Sequence, residues 1–319
     1  MKSVGVSILN YQAASKTIQC VSSLLKEAAG VSAAISVSIR VIDNGSSDRD
    51  FQTLREGLEN LEQVSLLRQE ENLGFSRGHN INIEGLLGIQ PMDFIWLLNN
   101  DCELLPGTIR ALVNSANENP SVGIWGATLV EGDRRTVQCC GGCRYWSWLS
   151  WHRNLGKGKD LSRIHHFSAK RMDYIAGASM FFPARVLQEG LEPPRTRKAI
   201  SGRRWLNEEF FLYFEEIDLA RRLRPDYGLD WCREAQIIHV GGAGTGATGH
   251  KRSRVGEYHA TLSALKYTEL YRPGLLFLMV PSRLLIKTLI NLSALRFDLL
   301  RELYRAYTAY FRWRKTGSC

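Results

Sequence analysis

The 319-residue sequence predicts an α/β chain: a mostly parallel sheet flanked by helices, with a helical extension at the carboxyl end. Three observations carry this. Up to about residue 130, short apolar runs alternate with segments of helical period, the signature of successive strand–helix units. The run FIWLL at 94–98 has no polar alternation, so both its faces are covered, as in a central strand between helix layers. Three such runs end in polar residues (ILNYQ, IDNGSSD and LLNND), which places polar groups along one sheet edge, the edge where open α/β sheets bind ligands.

Taken in order, residues 4–9 read as the first strand, and 13–27 as a helix with Ile18, Val21, Leu24 and Leu25 on one face. Residues 35–42 form the next strand, and a helix runs through 51–61. A short strand at 64–68, a loop QEENLGFSRGHN and a helix from Ile81 lead to the strand at 94–98 and a helix at 106–117. Asn99-Asn100-Asp101 has two readings: a ligand-binding group at the sheet edge, or a turn and N-cap for the next helix.

From residue 125 to 205 the pattern loosens. Trp146, Trp148 and Trp151 sit beside Arg and Lys; the alternation at 146 and 148 predicts one buried strand face, and the alternative is an aromatic platform for a sugar or a base. A strand-like YIAGASMFF follows at 174–182. The loop EPPRTRKAISGRRW at 192–205 reads as a solvated insertion or a contact for an anionic ligand. Residues 207–224, NEEFFLYFEEIDLARRLR, read as a helical segment with Phe211, Phe214 and Leu219 turned inward and Asp218 paired with Arg221 or Arg222 one turn on. Glu215 and Glu216 lie among aromatics, where desolvation raises a carboxyl pKa and suits it to act as a base.

The strand AQIIHV ends at His239 and Val240, before the glycine-rich, basic GGAGTGATGHKRSR. A GxGxxG match at 244–249 does not open a βαβ unit, so the segment reads as a lid whose amides, with Lys251, Arg252 and Arg254, meet a diphosphate. In the tail, Arg283 and Lys287 interrupt the apolar run before it reaches the roughly 20 residues of a membrane span. At helical spacing Arg283, Lys287, Asn291, Asp298 and Arg305 share a polar stripe opposite Leu and Ile. This suits a helix lying in a membrane interface, with Trp313 at headgroup level; the alternative is a helical hairpin packed on protein.

At 44% hydrophobic, the chain can bury one large core or two small ones. Lys and Arg number 41 against 32 Asp and Glu, a net +9 that favours an anionic partner. The start, MKSVGVSILNYQ, does not read as a signal peptide, and seven cysteines without secretion predict reduced thiols in a cytoplasm. The cluster CCGGC at 139–143 lacks a second cysteine pair at zinc-finger spacing, so it reads as buried or loop thiols.

In the order VSILNYQ, VIDNGSSD, NLGFSRGHN, WLLNNDCEL, YIAGASMFF, FFLYFEEIDLARRL and HVGGAGTG, the chain resembles family 2 glycosyltransferases of the GT-A (Rossmann-like) fold, most closely the rhamnosyltransferase-like enzymes of bacterial polysaccharide assembly. The resemblance spans about residues 4–273. It implies a nucleotide-sugar half at 1–130, an acceptor and catalytic half at 131–260, and an amphipathic helical extension at 261–319. It implies Mn²⁺ or Mg²⁺ held by Asp101 and His239 against a nucleoside-diphosphate sugar, with Asn99 in place of the first Asp of the usual DxD-type motif. By the same likeness Asp43, Asn10 and Tyr11 meet the nucleobase end of the donor, and Asn72, Gly74, Asn80, Asn99 and Asn100 line the rest of its site. Gly177 and Ala178 leave room for a sugar, with Trp146 and Trp148 on the acceptor side.

The base is expected at Glu216 or Glu215, where the family usually has a Glu-Asp pair, and Ser263 stands near a position where many relatives have Asn. The implied reaction is an inverting transfer to a glycan or lipid-linked acceptor. Its expected place is cytoplasmic, at the inner membrane face, through contact of the tail with anionic lipid; the resemblance leaves a homo-oligomer open. Two other readings compete. A nucleotidyltransferase would need a glycine-rich basic loop after the first strand, and LNYQAASKT is not that. The residues at 99 and 216 leave room for an inactive relative that binds glycan or membrane. No nucleic-acid partner is expected, since RNP-like and helix-turn-helix patterns are lacking.

Overall fold

The computed structural model describes residues 1–168, 172–196, 205–241 and 253–317. The first part runs β1 (Lys2–Asn10), α1 (Ala14–Ala29), β2 (Ile35–Asn44), α2 (Asp48–Leu58), β3 (Val64–Gln69), α3 (Gly74–Ile89), β4 (Phe94–Leu98), β5 (Cys102–Leu104), α4 (Thr108–Glu118) and β6 (Val122–Val130). There follow β7 (Val137–Cys140), β8 (Gly142–Trp146), β9 (Trp151–Asn154), β10 (Tyr174–Ile175), β11 (Ser179–Pro183), α5 (Ala184–Glu189), α6 (Glu215–Arg222) and β12 (Gly228–His239). The chain closes with α7 (Arg254–Tyr271), α8 (Leu276–Ser293) and α9 (Phe297–Thr316).

The main sheet has the order β3-β2-β1-β4-β11-β6-β12-β5, with β7 paired to β6. Strands β3, β2, β1 and β4 are mutually parallel; β11 runs against both β4 and β6, and β5 against β12. β4 is central and buried along its whole length, as its lack of alternation requires. Two apolar layers cover the sheet: one contains Val21, Leu24, Leu54 and Leu112 from α1, α2 and α4, the other Ile83 and Leu86 from α3 with Leu187 from α5. β8, β9 and β10 form a separate small antiparallel sheet.

Three expectations about elements need correction. The third helix starts at Gly74, not Ile81. Up to Asn82 its sheet-facing residues are small or polar: Gly78 lies against Leu9, His79 Nδ1 is 2.6 Å from Ser7 Oγ, and Asn82 donates to the carbonyls of Ile8 and Arg40. Such a face buries without an apolar period. The segment 207–224 is helical only at Glu215–Arg222. The carbonyls of Glu209, Phe211 and Leu212 accept from Lys266, the Phe75 amide and Ser263, so tertiary donors take the groups a helix would use. Tyr213 and Phe214 then adopt left-handed φ of 66° and 76°. Phe211, expected inside, is exposed and stacks on His259, while Phe214 and Leu219 are buried.

The tail is the third correction. α8 and α9 run antiparallel, since Tyr307 donates to the Val280 carbonyl near one end and the Arg296 amide to Asn291 at the other. Trp313 is not at an outer surface: it is buried with Leu262, Leu265 and Tyr310, and its Nε1 donates to Glu209 at 2.8 Å. Arg283 and Asn291 are likewise buried.

Asp218 ties these parts together. Its carboxylate accepts from Arg222 Nε at 2.6 Å, Asn207 Nδ2 at 3.0 Å and the Tyr271 hydroxyl at 2.6 Å, with both ions buried. Removing one member leaves an uncompensated buried charge. Asp218→Ala is therefore expected to lower stability by about 3–5 kcal/mol in urea unfolding, whereas loss of an exposed pair such as Arg55–Glu59 changes it by about 0–1 kcal/mol.

Candidate active site

The carboxyl ends of β1, β2 and β4 lie side by side, and the polar residues that end them bond to one another. Asn10 Nδ2 donates to Asp43 Oδ1 and Asp50 Oδ2, each at 2.9 Å, and approaches Ser46 Oγ at 3.2 Å. Thr17 donates to Asn10 Oδ1 at 2.7 Å, and Asn100 Nδ2 donates to Thr17 at 2.9 Å. Asn10, Asp43 and Asn100 are thus one buried network across three strands, with Tyr11 half-buried beside it. Thr17, absent from the residues singled out by sequence, is the link between its halves; nothing marks a threonine on an amphipathic helix face as such.

Asn72 and Gly74 sit at the neighbouring β3–α3 junction. Asn72 Oδ1 accepts from the Gly74 amide and from Asn44 Nδ2. Gly74 has φ +79°, and a Cβ there would come within 2.5 Å of the Phe211 carbonyl, so glycine is needed for approach to that backbone. The Asn80 amide is spent on residues 206–208: it accepts from the Leu206 amide and donates to the Leu206 carbonyl and Glu208.

Past Asn100 the chain turns into β5, where Cys102 pairs opposite His239 of β12. This register brings His239 Nε2 to 3.2 Å from Asp101 Oδ1 and 3.4 Å from Asn99 Nδ2. On the far side of the ring, Nδ1 lies 2.6 Å from Gln138 Oε1. An amide oxygen accepts, so Nδ1 carries a hydrogen, and in the neutral ring the Nε2 lone pair faces Asp101. Asp101, Cys102 and His239 place ligand atoms within 4.8 Å of one another. Burial pushes the Cys102 thiol well above its usual pKa, leaving it protonated and donating toward the Ala178 carbonyl. The carboxylate and imidazole are the donors left to a hard divalent cation, and their proximity and fixed tautomer fit one. Gln138 lies in a stretch without motif and was not legible from sequence.

Glu215 and Glu216 open α6 directly after the two left-handed residues. Glu215 is buried and Glu216 partly so. Desolvation raises both: Glu215 well above the usual range, with the Glu216 charge adding to it, and Glu216 to about 7. Among the described residues Glu216 Oε2 has no hydrogen-bond partner, and the Glu216 carboxyl carbon would lie 3.9 Å from a Cβ built on Gly177. The next residue, Ala178, accepts from the Asn99 amide at 3.0 Å. Gly177-Ala178 therefore bridges the carboxylate pair and the Asp101–His239 pair.

The tryptophans depart from the expected buried face. Trp146 and Trp151 pair across the β8–β9 hairpin, Trp148 lies in its turn, and all three are exposed, by 38%, 53% and 49% respectively. Alternation places Tyr145 inward instead, edge-on to Phe214 and Tyr267 at 5.9 Å between centroids, one residue from Glu215. Six cysteines, including 139, 140 and 143, are buried free thiols. Residues 244–249, Lys251 and Arg252 lie outside the described residues; Arg254 pairs with Glu302 at 2.8 Å. Ser263 bonds to the Leu212 carbonyl.

The sequence model of glycosyl transferase family 2 matches residues 3–173. No curated protein matches the chain significantly. Among solved structures, one of GalNAc-T7 with UDP, GalNAc and Mn²⁺ superposes with a TM-score of 0.56 at 12% identity, covering 83% of this chain and 48% of that one, so the present chain spans about half its length. The mannosyltransferase PcManGT from Pyrobaculum calidifontis, in complex with GDP-Man and Mn²⁺, superposes with a TM-score of 0.52 at 10% identity over 99% of this chain and 76% of that one. At such identities the likeness is one of fold.

The raised Glu216 carboxyl has a measurable consequence. Below the unfolded carboxyl pKa both states hold the proton. As pH rises toward 7 the unfolded chain releases it first, so stability falls across that interval and levels off above it. Carboxyl ¹³C NMR is expected to show a Glu midpoint near 7 that vanishes in Glu216→Gln, with a flatter stability profile from pH 5 to 7 in that variant.

Proposed function

The chain belongs to glycosyl transferase family 2, and from that premise we propose that it catalyses metal-dependent, inverting transfer of a sugar from a nucleoside diphosphate to a glycan or lipid-linked hydroxyl. The observation that carries this reading is the bridge at Gly177-Ala178: a carboxylate with a pKa near 7 on one side, and a carboxylate–imidazole pair suited to a divalent cation on the other. The two solved structures with Mn²⁺, one with UDP and one with GDP-Man, support a nucleotide-sugar donor and Mn²⁺, with Mg²⁺ as the other candidate.

In this reading the buried Asn10–Asp43 network, with Tyr11, shapes the nucleobase end of the donor site. Asn72, Gly74 and Asn80 shape the β3–α3 side of it, Asn99 and Asn100 the β4 side. Asp101 and His239 hold the cation, and Gln138 keeps the imidazole lone pair aimed at it. When bound, the cation neutralises charge that develops on the departing diphosphate. One carboxylate and one imidazole bind a metal weakly by themselves, so nucleotide and metal bind together.

Glu216 is the base, because its carboxyl lies beside Gly177, whereas Glu215 is more deeply buried and the Glu216 charge adds to the burial that raises its pKa. Glu216 takes the proton of the acceptor hydroxyl; the oxygen forms a bond to the anomeric carbon from the face opposite the leaving group, and the nucleoside diphosphate departs with the bonding pair. Absence of a side chain at Gly177 leaves room for a sugar beside the base. Exposed Trp146 and Trp148 rings, on a hairpin that reaches Phe214 through Tyr145, offer C–H stacking to the acceptor glycan. The likeness of the ordered motifs to rhamnosyltransferases makes dTDP-rhamnose the first donor to test, with UDP-sugars next.

The test is turnover of a donor panel with Mn²⁺ over glycan and lipid-linked acceptors, with product anomers read by NMR. Transfer with inverted configuration is expected, with activity rising from pH 6 to 8 and Glu216→Gln lowering kcat about 10²–10⁴-fold. Retained configuration, or full activity in Glu216→Gln, would contradict the assignment.

A further inference from the structure

Helix α8 of the α8–α9 hairpin inverts the usual order of an amphipathic surface helix. Its polar residues point into the protein: Arg283 donates to the backbone carbonyls of Ser150 and Ala260, Lys287 pairs with Glu257 at 3.1 Å, and Asn291 is buried. Its large apolar residues point out. On α8, Leu278, Leu285, Leu289 and Leu292 recur at helical spacing and are exposed, Leu285 by 60% and Leu289 by 57%. On α9 one solvent-facing stripe reads Phe297, Arg301, Tyr304, Thr308, Phe311, Lys315, with aromatic and basic residues interleaved.

Basic charge concentrates in the hairpin as well. Residues 276–316 carry eight Lys and Arg against two Asp and Glu, six of the chain's nine net positive charges. We propose that this hairpin is a lipid-docking surface, which lays the protein in the interface of an anionic membrane with α8 in the membrane plane. Apolar side chains with basic ones beside them match acyl chains beneath anionic headgroups. A second copy fits less well, because a two-fold contact would set the cationic stripe against itself. The helix Pro273–Ser293 is long and apolar enough to span a bilayer, but the bonds of Arg283 and Lys287 fix its polar side to the globular part, leaving only the outer side for lipid. Arg283 also ties α8 to Ser150 in the tryptophan hairpin, so docking would bring Trp146 and Trp148 close to the membrane surface. None of this depends on the reaction proposed above.

The experiment is sedimentation of the full chain with phosphatidylcholine vesicles and with mixed phosphatidylcholine–phosphatidylglycerol vesicles, for wild type, Leu285→Ser/Leu289→Ser and Arg301→Glu/Lys315→Glu, all checked for folding by circular dichroism. Wild type is expected to bind the anionic vesicles at least about tenfold more tightly than neutral ones, with either double variant losing about tenfold or more. Equal binding to both vesicles, no binding, or variants that bind as wild type would overturn the proposal. So would light scattering that shows a dimer dissolved by Leu285→Ser/Leu289→Ser, which would give the face to a second copy.

Discussion

Everything at the functional edge depends on one constraint: polar side chains that end parallel strands inside a covered sheet must satisfy each other or pay full desolvation. Asn100, Thr17, Asn10, Asp43 and Asp50 meet it by forming a single hydrogen-bonded series across β4, α1, β1, β2 and α2. The series fixes strand ends and helix starts in mutual register. Asp101, the residue after Asn100, is thereby held where β5 and β12 deliver His239, and the imidazole is aimed by Gln138 from a strand beyond. A hydrogen-bond network in the core is thus converted, within two residues, into a candidate ligand set at its rim.

The carboxylate pair is held by a different device. Glu215 and Glu216 follow two left-handed residues, a costly backbone that persists only when its surroundings over-determine it. The surroundings here are the carboxyl-terminal helices: Ser263 and Lys266 of α7 and Trp313 of α9 grip residues 209–212, and Tyr271 with Arg222 fixes Asp218 below. Helices that look like an appendage in the sequence therefore build the surroundings of this carboxylate pair. The outer side of the hairpin α8–α9 is exposed, and Trp313 on its inner side bonds to Glu209, in the segment that leads to Glu216.

Most of the sheet was legible because burial on two faces leaves an unmistakable run, as at Phe94–Leu98, and because β-α alternation restricts topology. Errors arose where tertiary bonds replaced local ones. The start of α3 hides behind Gly78, His79 and Asn82, which bury through hydrogen bonds; residues 207–214 look helical but lose their carbonyls to α7 and α3. At the site, Asp101, His239 and the glutamates carry chemistry that residue type alone suggests. Thr17 and Gln138 act by holding other side chains, and such roles have no spacing to read. Trp313 was misplaced for a related reason: an amphipathic tryptophan near basic residues looks interfacial until Glu209 supplies a partner for its N–H.

The central claim is that the Asp101–His239 pair forms a cation-dependent nucleotide site. It is tested most directly by calorimetry of dTDP, UDP and GDP, each with and without Mn²⁺, binding to wild type, Asp101→Ala and His239→Ala. One nucleotide is expected to bind wild type only with Mn²⁺, and to lose that dependence in both folded variants. Nucleotide binding indifferent to Mn²⁺ and to both substitutions, or no binding by any folded form, would contradict the account.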